Sequence, residues 1–181
     1  MSARIINGKE IAAKVRGEVK EAVAAMEAAH GYRPGLATVL VGENTASATY
    51  VRSKRRACEE VGIRSIGQEL SKDVSQDELK AVVEGLNNDP DVDGILVQLP
   101  LPKHIDEEAI LATIDLGKDV DGFHPMNVGN LSSGYESSVP CTPLGCYLLI
   151  KKVEPNLNGK KAVIVGRSNL NGKPMTQLLL K

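Results

Sequence analysis

A hydroxyl, an aromatic ring and an amine recur at helical spacing in the segment ASATYVRSKRRA, residues 46–57. Ser47, Tyr50 and Lys54 stand at i, i+3 and i+7, so an α-helix would place them along one face. A lysine in a partly dry pocket gives up its charge more readily and can then carry a proton. The stripe is therefore a candidate for acid–base chemistry. The alternative is a solvated cationic face, because Lys54 is one of the four cations of RSKRR.

An uncharged polar side chain, Gln98, follows an apolar run in the segment DGILVQLPLP. If residues 93–99 form a strand of a parallel sheet, Gln98 lies at the carboxyl edge, where α/β proteins bind ligands. Its amide needs hydrogen-bond partners there, and the prolines that follow give a stiff turn beside it. Two interpretations are equally favoured: Gln98 faces a ligand, or Gln98 bonds the backbone of the neighbouring loop.

Two carboxylates and an imidazole follow in the segment KDVDGFHP. Asp119 and Asp121 flank a valine, so in an extended chain both would point the same way. A carboxylate can accept a pair of N–H donors, such as those of a pterin or guanine edge. His124 adds a possible metal ligand, but the spacing matches no strong metal motif, so we predict no metal site. The alternative is a simple turn rich in Asp, Gly and Pro.

The segment AVIVGRSNLNGKP has the order of a nucleotide-binding strand–turn–helix unit. Residues 162–165 predict a buried strand, and Gly166 and Gly172 bracket the turn that follows. Arg167 and Ser168 stand where a 2′-phosphate could bind, which would select NADP over NAD. The spacing is not GxGxxG, and the alternative is an ordinary turn between a strand and a helix.

Alternating helices and strands would position these residues. Periodicity and capping residues predict helices over 9–29, from Asn44 or Thr45 to about Glu60, from the Ser75/Glu78 capping box, from Asp106, and from Thr142–Pro143 through Ile150. Apolar runs predict strands at 36–42, 63–70 and 93–99. The alternation predicts an α/β fold with a mostly parallel sheet. Residues 116–143 show no regular pattern and predict a long loop.

The composition of the chain argues against nucleic acids and membranes as its partners. The 181 residues carry 22 Lys and Arg against 23 Asp and Glu, so no net field attracts nucleic acid or an anionic membrane. Hydrophobic residues make up 42%, enough for a core, and aromatics only 3%. We see no secretory pattern and no apolar run long enough to span a bilayer. The three cysteines predict thiols in a reducing cytoplasm, each serving as a small core residue.

Together the four segments resemble the methylenetetrahydrofolate dehydrogenase/cyclohydrolase family, from IINGKEIAAKVR to the last residue. YVRSKRRACEEVGI resembles the Tyr-Val-x-x-Lys helix of that family, and DGILVQLPLP and KDVDGFHPMNVGNL match two further motifs. PCTPLG matches the domain junction, and GRSNLNGKP resembles the Gly-Arg-Ser cofactor turn. One departure is Asn171, where the family usually has an apolar residue, commonly Val.

The resemblance implies an enzyme of one-carbon metabolism and purine biosynthesis. It would oxidise 5,10-methylenetetrahydrofolate with NADP and hydrolyse the methenyl product to 10-formyltetrahydrofolate. Lys54 would be the main catalytic residue, with Gln98 as its hydrogen-bond partner and Tyr50 stacked on the aminobenzoyl ring of the folate. The implied substrate contacts are Ser47, Tyr50, Leu99, Pro100 and Asp121, and the implied cofactor contacts are Gly166, Arg167 and Ser168. Because Gln98 is neutral, it would not hold Lys54 in its charged form as a carboxylate would.

The resemblance also implies a homodimer and a division into two domains. Residues 1–140 would form the folate-binding catalytic domain, an α/β domain with a parallel sheet. Residues 141–181 would form a linker helix and the first strand–turn–helix of a truncated Rossmann-like NADP domain. Family members continue for roughly another hundred residues, about one domain. We therefore expect a chain that ends at Lys181 to bind folate far better than NADP and to show little dehydrogenase activity.

Two alternatives remain open at this point. The first is a folate-binding or dimerisation remnant without redox activity. The second, more remote from the motifs, is an α/β protein that binds another small molecule without redox chemistry. Folate titration separates the second alternative from the others, and a methenyl hydrolysis assay separates the first from the enzyme.

Overall fold

The computed structural model describes residues 5–180, and its elements alternate between helix and strand up to residue 97. In chain order the elements are α1 (Gly8–His30), β1 (Gly35–Val41), α2 (Thr45–Val61), β2 (Arg64–Leu70), α3 (Gln76–Asn88), β3 (Gly94–Val97), α4 (Glu107–Leu111), α5 (Pro125–Ser133), α6 (Cys141–Val153) and α7 (Gly172–Leu180). The predicted α/β class is confirmed, and β3 and α4 are shorter than their apolar patterns suggest.

The strands form a parallel sheet with β1 in the centre, in the order β2-β1-β3. The central strand is buried on both faces, which explains its nearly continuous apolar sequence. Because all three strands run the same way, the residues that follow Val41, Leu70 and Val97 lie at one edge, here called the carboxyl edge. The residues that precede Gly35, Arg64 and Gly94 lie at the opposite edge, here called the amino edge.

The main core lies on the face of the sheet that α3 covers. Leu79, Val83 and Leu86 of α3 are buried against residues of β1 and β3. The predicted capping box starts this helix: the Ser75 hydroxyl accepts the Glu78 N–H at 3.2 Å, and the Glu78 carboxylate accepts the Ser75 N–H at 2.9 Å. The Ser75 hydroxyl also donates to the Glu78 carboxylate at 2.7 Å, and the two bonds that this carboxylate accepts, from the Ser75 N–H and from the hydroxyl, lower the pKa of Glu78.

Helix α2 begins and ends where the sequence predicts. The Asn44 side chain accepts the backbone N–H of Ser47 at 3.0 Å and so caps the first turn. Gly62 ends the helix with a φ of 88°, a left-handed conformation that glycine adopts without a steric penalty. The two caps fix which residues of α2 stand near the carboxyl edge.

The prediction of an irregular loop over 116–143 is wrong, because α5 lies within it. His124 precedes this helix and its Nδ1 accepts the Met126 N–H at 3.1 Å. Pro125 occupies the first helical position, and Gly134 ends the helix with a φ of 79°. The weak helix formers Asn, Ser and Gly hide the helical periodicity, although the two terminal signals were present in the sequence.

The prediction of a buried strand at residues 162–165 is also wrong. These residues have no regular structure, and Val163 and Val165 are 78% and 98% exposed. A strand requires a neighbouring strand for its backbone hydrogen bonds. Within residues 5–180 the strands that could supply those bonds lie at positions 35–97 and pair with one another.

The cysteines differ from one another more than the sequence suggests. All three are thiols, but Cys58 alone is buried, while Cys141 and Cys146 are exposed on α6. The prediction of a core role therefore holds for Cys58 and is wrong for the other two. Burial raises the pKa of the Cys58 thiol.

The described chain divides into two compact units. One comprises Arg16–Val120 and contains the sheet, whereas the other comprises the residues before Arg16 together with those from Asp121 onward. In the second unit α7 packs against α5 and α6. None of the helices between residues 5 and 180 is long and apolar enough to cross a membrane.

Candidate active site

The sheet unit brings Lys54 and Gln98 together across 44 residues of sequence. The Lys54 amine, on α2, donates to the Gln98 side-chain oxygen at 3.2 Å, and both residues are half-buried. The backbone N–H of Gln98 continues the sheet by donating to the Val39 carbonyl at 2.9 Å. An amine and a neutral amide therefore meet at the carboxyl edge, the place where parallel α/β sheets bind ligands.

The orientation of the Gln98 amide follows from its two neighbours. Its nitrogen donates to the Leu99 carbonyl at 2.8 Å. Because a carbonyl can only accept, the amide nitrogen must face Leu99, and the amide oxygen is then directed at the Lys54 amine. The side chain thus bonds loop backbone with one end, as one of the two alternatives predicts, and Lys54 with the other. A contact between Gln98 and a ligand stays a prediction.

Ser47 and Tyr50 share α2 with Lys54 but differ in environment. Ser47 is 5% exposed and turns into the protein, whereas Tyr50 is 65% exposed. An aromatic ring this open offers an apolar face on which a flat ligand ring could stack. The three residues of the predicted stripe therefore differ in exposure: the Ser47 hydroxyl is buried, the Lys54 amine is half-buried and the Tyr50 ring is open to solvent.

The turn after Gln98 is held by a carboxylate that sequence reasoning missed. Leu99 is half-buried, Pro100 is exposed and Leu101 is buried. The Leu101 N–H donates to the Glu107 carboxylate at 2.9 Å. The sequence signal available for Glu107 was its place in the first turn of α4, directly after the Asp106 cap.

The two aspartates of KDVDGFHP occupy different environments. Asp119 is 2% exposed, and its backbone forms an isolated parallel bridge with Ile95 in the sheet unit. Asp121 is half-buried and belongs to the second unit. In that unit a Cβ on Gly122 would lie 2.6 Å from the Ser138 carbonyl oxygen, so the chain beside Asp121 requires glycine. Among residues 5–180 no group of three or more His, Cys, Asp or Glu could hold a metal ion.

The predicted cofactor residues form a tight turn in the second unit. The Ser168 hydroxyl accepts the Asn171 N–H at 3.1 Å and the Gly172 N–H at 3.4 Å. A Cβ on Gly172 would lie 2.3 Å from the Gly166 carbonyl oxygen, which explains the glycine at that position. Arg167 is exposed beside this turn. A close glycine turn with an exposed cation before a helix fits a nucleotide phosphate.

The amino edge of the sheet carries a second set of polar contacts, which sequence reasoning also missed. Asp93 accepts the Tyr32 hydroxyl and, at 2.7 Å, the Gly35 N–H. Arg64 donates to the Asp91 carboxylate at 3.0 Å, and its guanidinium lies 6.0 Å from the centre of the Tyr32 ring. The hydrogen bond to Asp93 raises the pKa of Tyr32. These groups bond one another and the backbone, an arrangement that stabilises loops.

Two family models match the chain in series. The model "Tetrahydrofolate dehydrogenase/cyclohydrolase, catalytic domain" matches residues 6–121. The model "Tetrahydrofolate dehydrogenase/cyclohydrolase, NAD(P)-binding domain" matches residues 140–181. Lys54 and Gln98 lie within the first match, and the turn at 166–168 lies within the second.

Individual proteins give the same result. The chain is 59% identical over 177 residues to "Bifunctional protein FolD" of Pelagibacter ubique, covering 98% of this chain and 63% of that protein. The bifunctional FolD structure from Campylobacter jejuni has a TM-score of 0.96 at 49% identity, over 99% of this chain and 64% of that one. A Trypanosoma brucei FolD complexed with NADP cofactor and inhibitor has a TM-score of 0.95 at 38% identity, and the match covers 99% of this chain and 62% of that one. The chain thus spans less than two thirds of the length of these proteins.

Proposed function

Because the chain belongs to the tetrahydrofolate dehydrogenase/cyclohydrolase family, we propose that it interconverts one-carbon derivatives of tetrahydrofolate. Its reactions are the NADP-dependent oxidation of 5,10-methylenetetrahydrofolate to the methenyl form and the hydrolysis of that product to 10-formyltetrahydrofolate. The observation that carries the proposal is the contact between Lys54 and Gln98 at the carboxyl edge of the sheet. The same half-buried pair lies inside the match to the catalytic-domain model.

The Lys54–Gln98 contact suits the hydrolytic step. Water adds to the methenyl carbon and loses a proton to a base, which leaves a hydroxyl on that carbon. The bond from the carbon to one ring nitrogen then breaks as the hydroxyl gives up its proton and the nitrogen takes one, and the carbon–oxygen double bond of the formyl group forms. A lysine amine can take this proton only in its neutral form. Gln98 accepts a hydrogen bond from the amine without adding negative charge, so it orients Lys54 without forming an ion pair with it.

Other residues would hold the substrate. We assign Tyr50 to stacking on the aminobenzoyl ring, because its ring is largely open. Asp121 would accept the N–H donors of the pterin, Leu99 and Pro100 would contact the substrate beside Gln98, and the buried Ser47 would support the surroundings of Lys54. Asp121 is in the second unit, so its role rests on the resemblance and on carboxylate chemistry.

The turn at Gly166, Arg167 and Ser168 would bind the phosphates of NADP. Its residues fit such a group through the close approach of Gly172 to Gly166 and the exposed guanidinium of Arg167. When bound, NADP⁺ supplies a hydride acceptor for the dehydrogenase reaction. The contribution of this chain to that step is to hold the phosphates at the start of α7.

Domain boundaries, assembly and compartment complete the proposal. We assign residues 1–140 to the folate domain and 141–181 to the beginning of the NADP domain, which the separate family matches at 6–121 and 140–181 support. We further propose a cytoplasmic homodimer, an inference from the family resemblance and from the three cysteine thiols.

The test is an assay of methenyl hydrolysis with the 181-residue chain. We expect the parent to hydrolyse 5,10-methenyltetrahydrofolate and the Lys54→Met variant to lose that activity while circular dichroism stays unchanged. A control is Lys80→Met on α3, whose exposed amine pairs with Glu84. A folded parent that does not accelerate hydrolysis, or a Lys54→Met variant that retains it, would contradict the assignment.

One observation favours a second candidate, folate binding without redox activity in the 181-residue chain. Residues 162–165, which should begin a nucleotide-binding sheet, have no regular structure, and all of them except the half-buried Ile164 are exposed. Calorimetric titration with NADP⁺, beside titration with a folate analogue, separates the two candidates. Folate binding with no measurable NADP⁺ binding supports the second candidate, whereas micromolar NADP⁺ binding with NADPH formation supports the first.

A further inference from the structure

We propose that Glu107 is a positioning residue for Gln98, acting through the turn at residues 99–101. This inference rests on the proposed function, because it assigns a role to Glu107 in the reaction that Lys54 and Gln98 perform. The role of Glu107 does not depend on a contact with Lys54 or with the reacting atoms, because its carboxylate bonds the backbone of the turn. It holds the turn whose Leu99 carbonyl fixes the orientation of the Gln98 amide.

The first step is the contact between α4 and the turn. Leu101 is 7% exposed, so its backbone N–H lies away from water and needs a protein partner. The Glu107 carboxylate accepts that N–H at 2.9 Å. A charge-assisted hydrogen bond of this kind is stronger than a neutral one and fixes the end of the turn.

The second step is the other end of the turn, which the sheet fixes. The Gln98 N–H donates to the Val39 carbonyl at 2.9 Å, as the last bond between β1 and β3. Glu107 and Val39 thus hold residues 98 and 101 from both sides, and the Leu99 carbonyl lies between these two anchors. That carbonyl accepts the Gln98 amide nitrogen at 2.8 Å.

The third step links the turn to the lysine. With its nitrogen bound to Leu99, the Gln98 amide presents its oxygen to the Lys54 amine at 3.2 Å. If the turn relaxes, the Leu99 carbonyl moves and the amide can rotate. A rotated amide presents its N–H₂ group to Lys54, so the amine loses the acceptor of its own N–H. The amide N–H would instead occupy the lone pair of the neutral amine, which the proposed reaction needs for the proton.

The neighbouring carboxylate provides a matched control. Glu108 stands in the same turn of α4 but is exposed, whereas Glu107 is half-buried. The Asp106 side chain caps the helix by accepting the Ala109 N–H at 3.1 Å, so the start of α4 does not depend on Glu107. Removing either glutamate removes one negative charge from the first turn of α4, and of these two side chains Glu107 is the one that accepts the Leu101 N–H.

The experiment compares Glu107→Ala, Glu107→Gln and Glu108→Ala in the 181-residue chain. We expect Glu107→Ala to lower kcat for methenyl hydrolysis by about 10- to 100-fold, since misplacing a catalytic group by about 1 Å can cost about 10²-fold. Glu107→Gln keeps an acceptor oxygen and should restore most of the rate, and Glu108→Ala should match the parent. In a Gln98→Ala background, Glu107→Ala should have no further effect, because the group it positions is gone.

A second readout does not depend on activity. In NMR spectra of the isotope-labelled chain, the Gln98 side-chain N–H₂ signals should shift in Glu107→Ala and stay in place in Glu108→Ala. Unchanged signals and an unchanged kcat in a folded Glu107→Ala variant would overturn the positioning role. A parent without hydrolytic activity, whose Gln98 signals still respond to Glu107→Ala alone, would instead refute the proposed function and leave the structural link intact.

Discussion

At the amino edge of the sheet, carboxylates and their partners bond one another and the backbone, as Asp93 does with Tyr32 and Gly35. At the carboxyl edge, the Lys54 amine faces the neutral amide of Gln98. Both edges belong to one compact unit, so they share the same sheet and core. The difference indicates that the amino edge uses its charges to hold loops, while the carboxyl edge sets an amine against an uncharged partner.

The largest effect should follow removal of the amine at the carboxyl edge. We predict that Lys54→Met lowers the rate of methenyl hydrolysis by about 10²–10⁴-fold, the usual loss for a positioned proton carrier. Its melting temperature should stay near that of the parent, because the half-buried amine bonds one neutral group among the described residues. Steady-state rates and thermal melts of the same preparation check both statements.

The next prediction makes the carboxyl edge resemble the amino edge. Gln98→Glu would place a carboxylate beside Lys54 and form an ion pair in place of the neutral contact. Hydrolysis should fall by about tenfold or more, because an opposite charge within about 4–6 Å strongly favours the charged amine. Gln98→Asn is a neutral control, which shows the effect of losing the contact with Lys54 without adding a charge. A Gln98→Glu variant as active as the parent would refute the importance of a neutral partner.

A smaller effect, on stability rather than rate, should follow a change at the amino edge. Asp93→Ala removes the acceptor of the buried Gly35 N–H, and a buried donor without a partner costs about 1–3 kcal/mol. We expect urea unfolding to show this loss, with kcat for hydrolysis unchanged in the folded protein. A drop in kcat with unchanged stability would mean that the two edges do not divide their roles in this way.

The smallest effect should appear at alkaline pH. The hydrogen bond to Asp93 raises the pKa of Tyr32, so the protonated phenol contributes stability that is fully present below its unfolded pKa of about 10. That stability is lost as the pH rises through the folded pKa. Urea unfolding at a series of pH values should show a steeper alkaline loss for the parent than for Tyr32→Phe, and parallel curves would exclude this linkage.

Local signals in the sequence were sufficient for most elements of the sheet unit. Asn44, Gly62 and the Ser75/Glu78 box fix helix ends through contacts within a few residues, so their effect can be predicted without a structure. The sequence could predict that Lys54 and Gln98 lie at the same edge of the sheet, because the ends of parallel strands share one edge. The hydrogen bond between the two side chains could not be predicted, since 44 residues separate the partners.

Features that depend on a distant partner could not be predicted. Residues 162–165 have the composition of a strand, but a strand forms only beside another strand. The contact of Asp93 with Gly35 joins positions 58 residues apart, and no local pattern encodes it. Glu107 looks like any acidic residue at a helix start, and only the folded turn shows that it holds Leu101.

The coupling between Lys54 and Gln98 tests the central claim most directly. Rates of methenyl hydrolysis for Lys54→Met, Gln98→Ala and the double variant form a double-mutant cycle. If the two side chains act as one unit, the double variant should be no slower than Lys54→Met alone. Losses that multiply would show that Gln98 acts independently of Lys54, and would contradict a catalytic pair at the carboxyl edge.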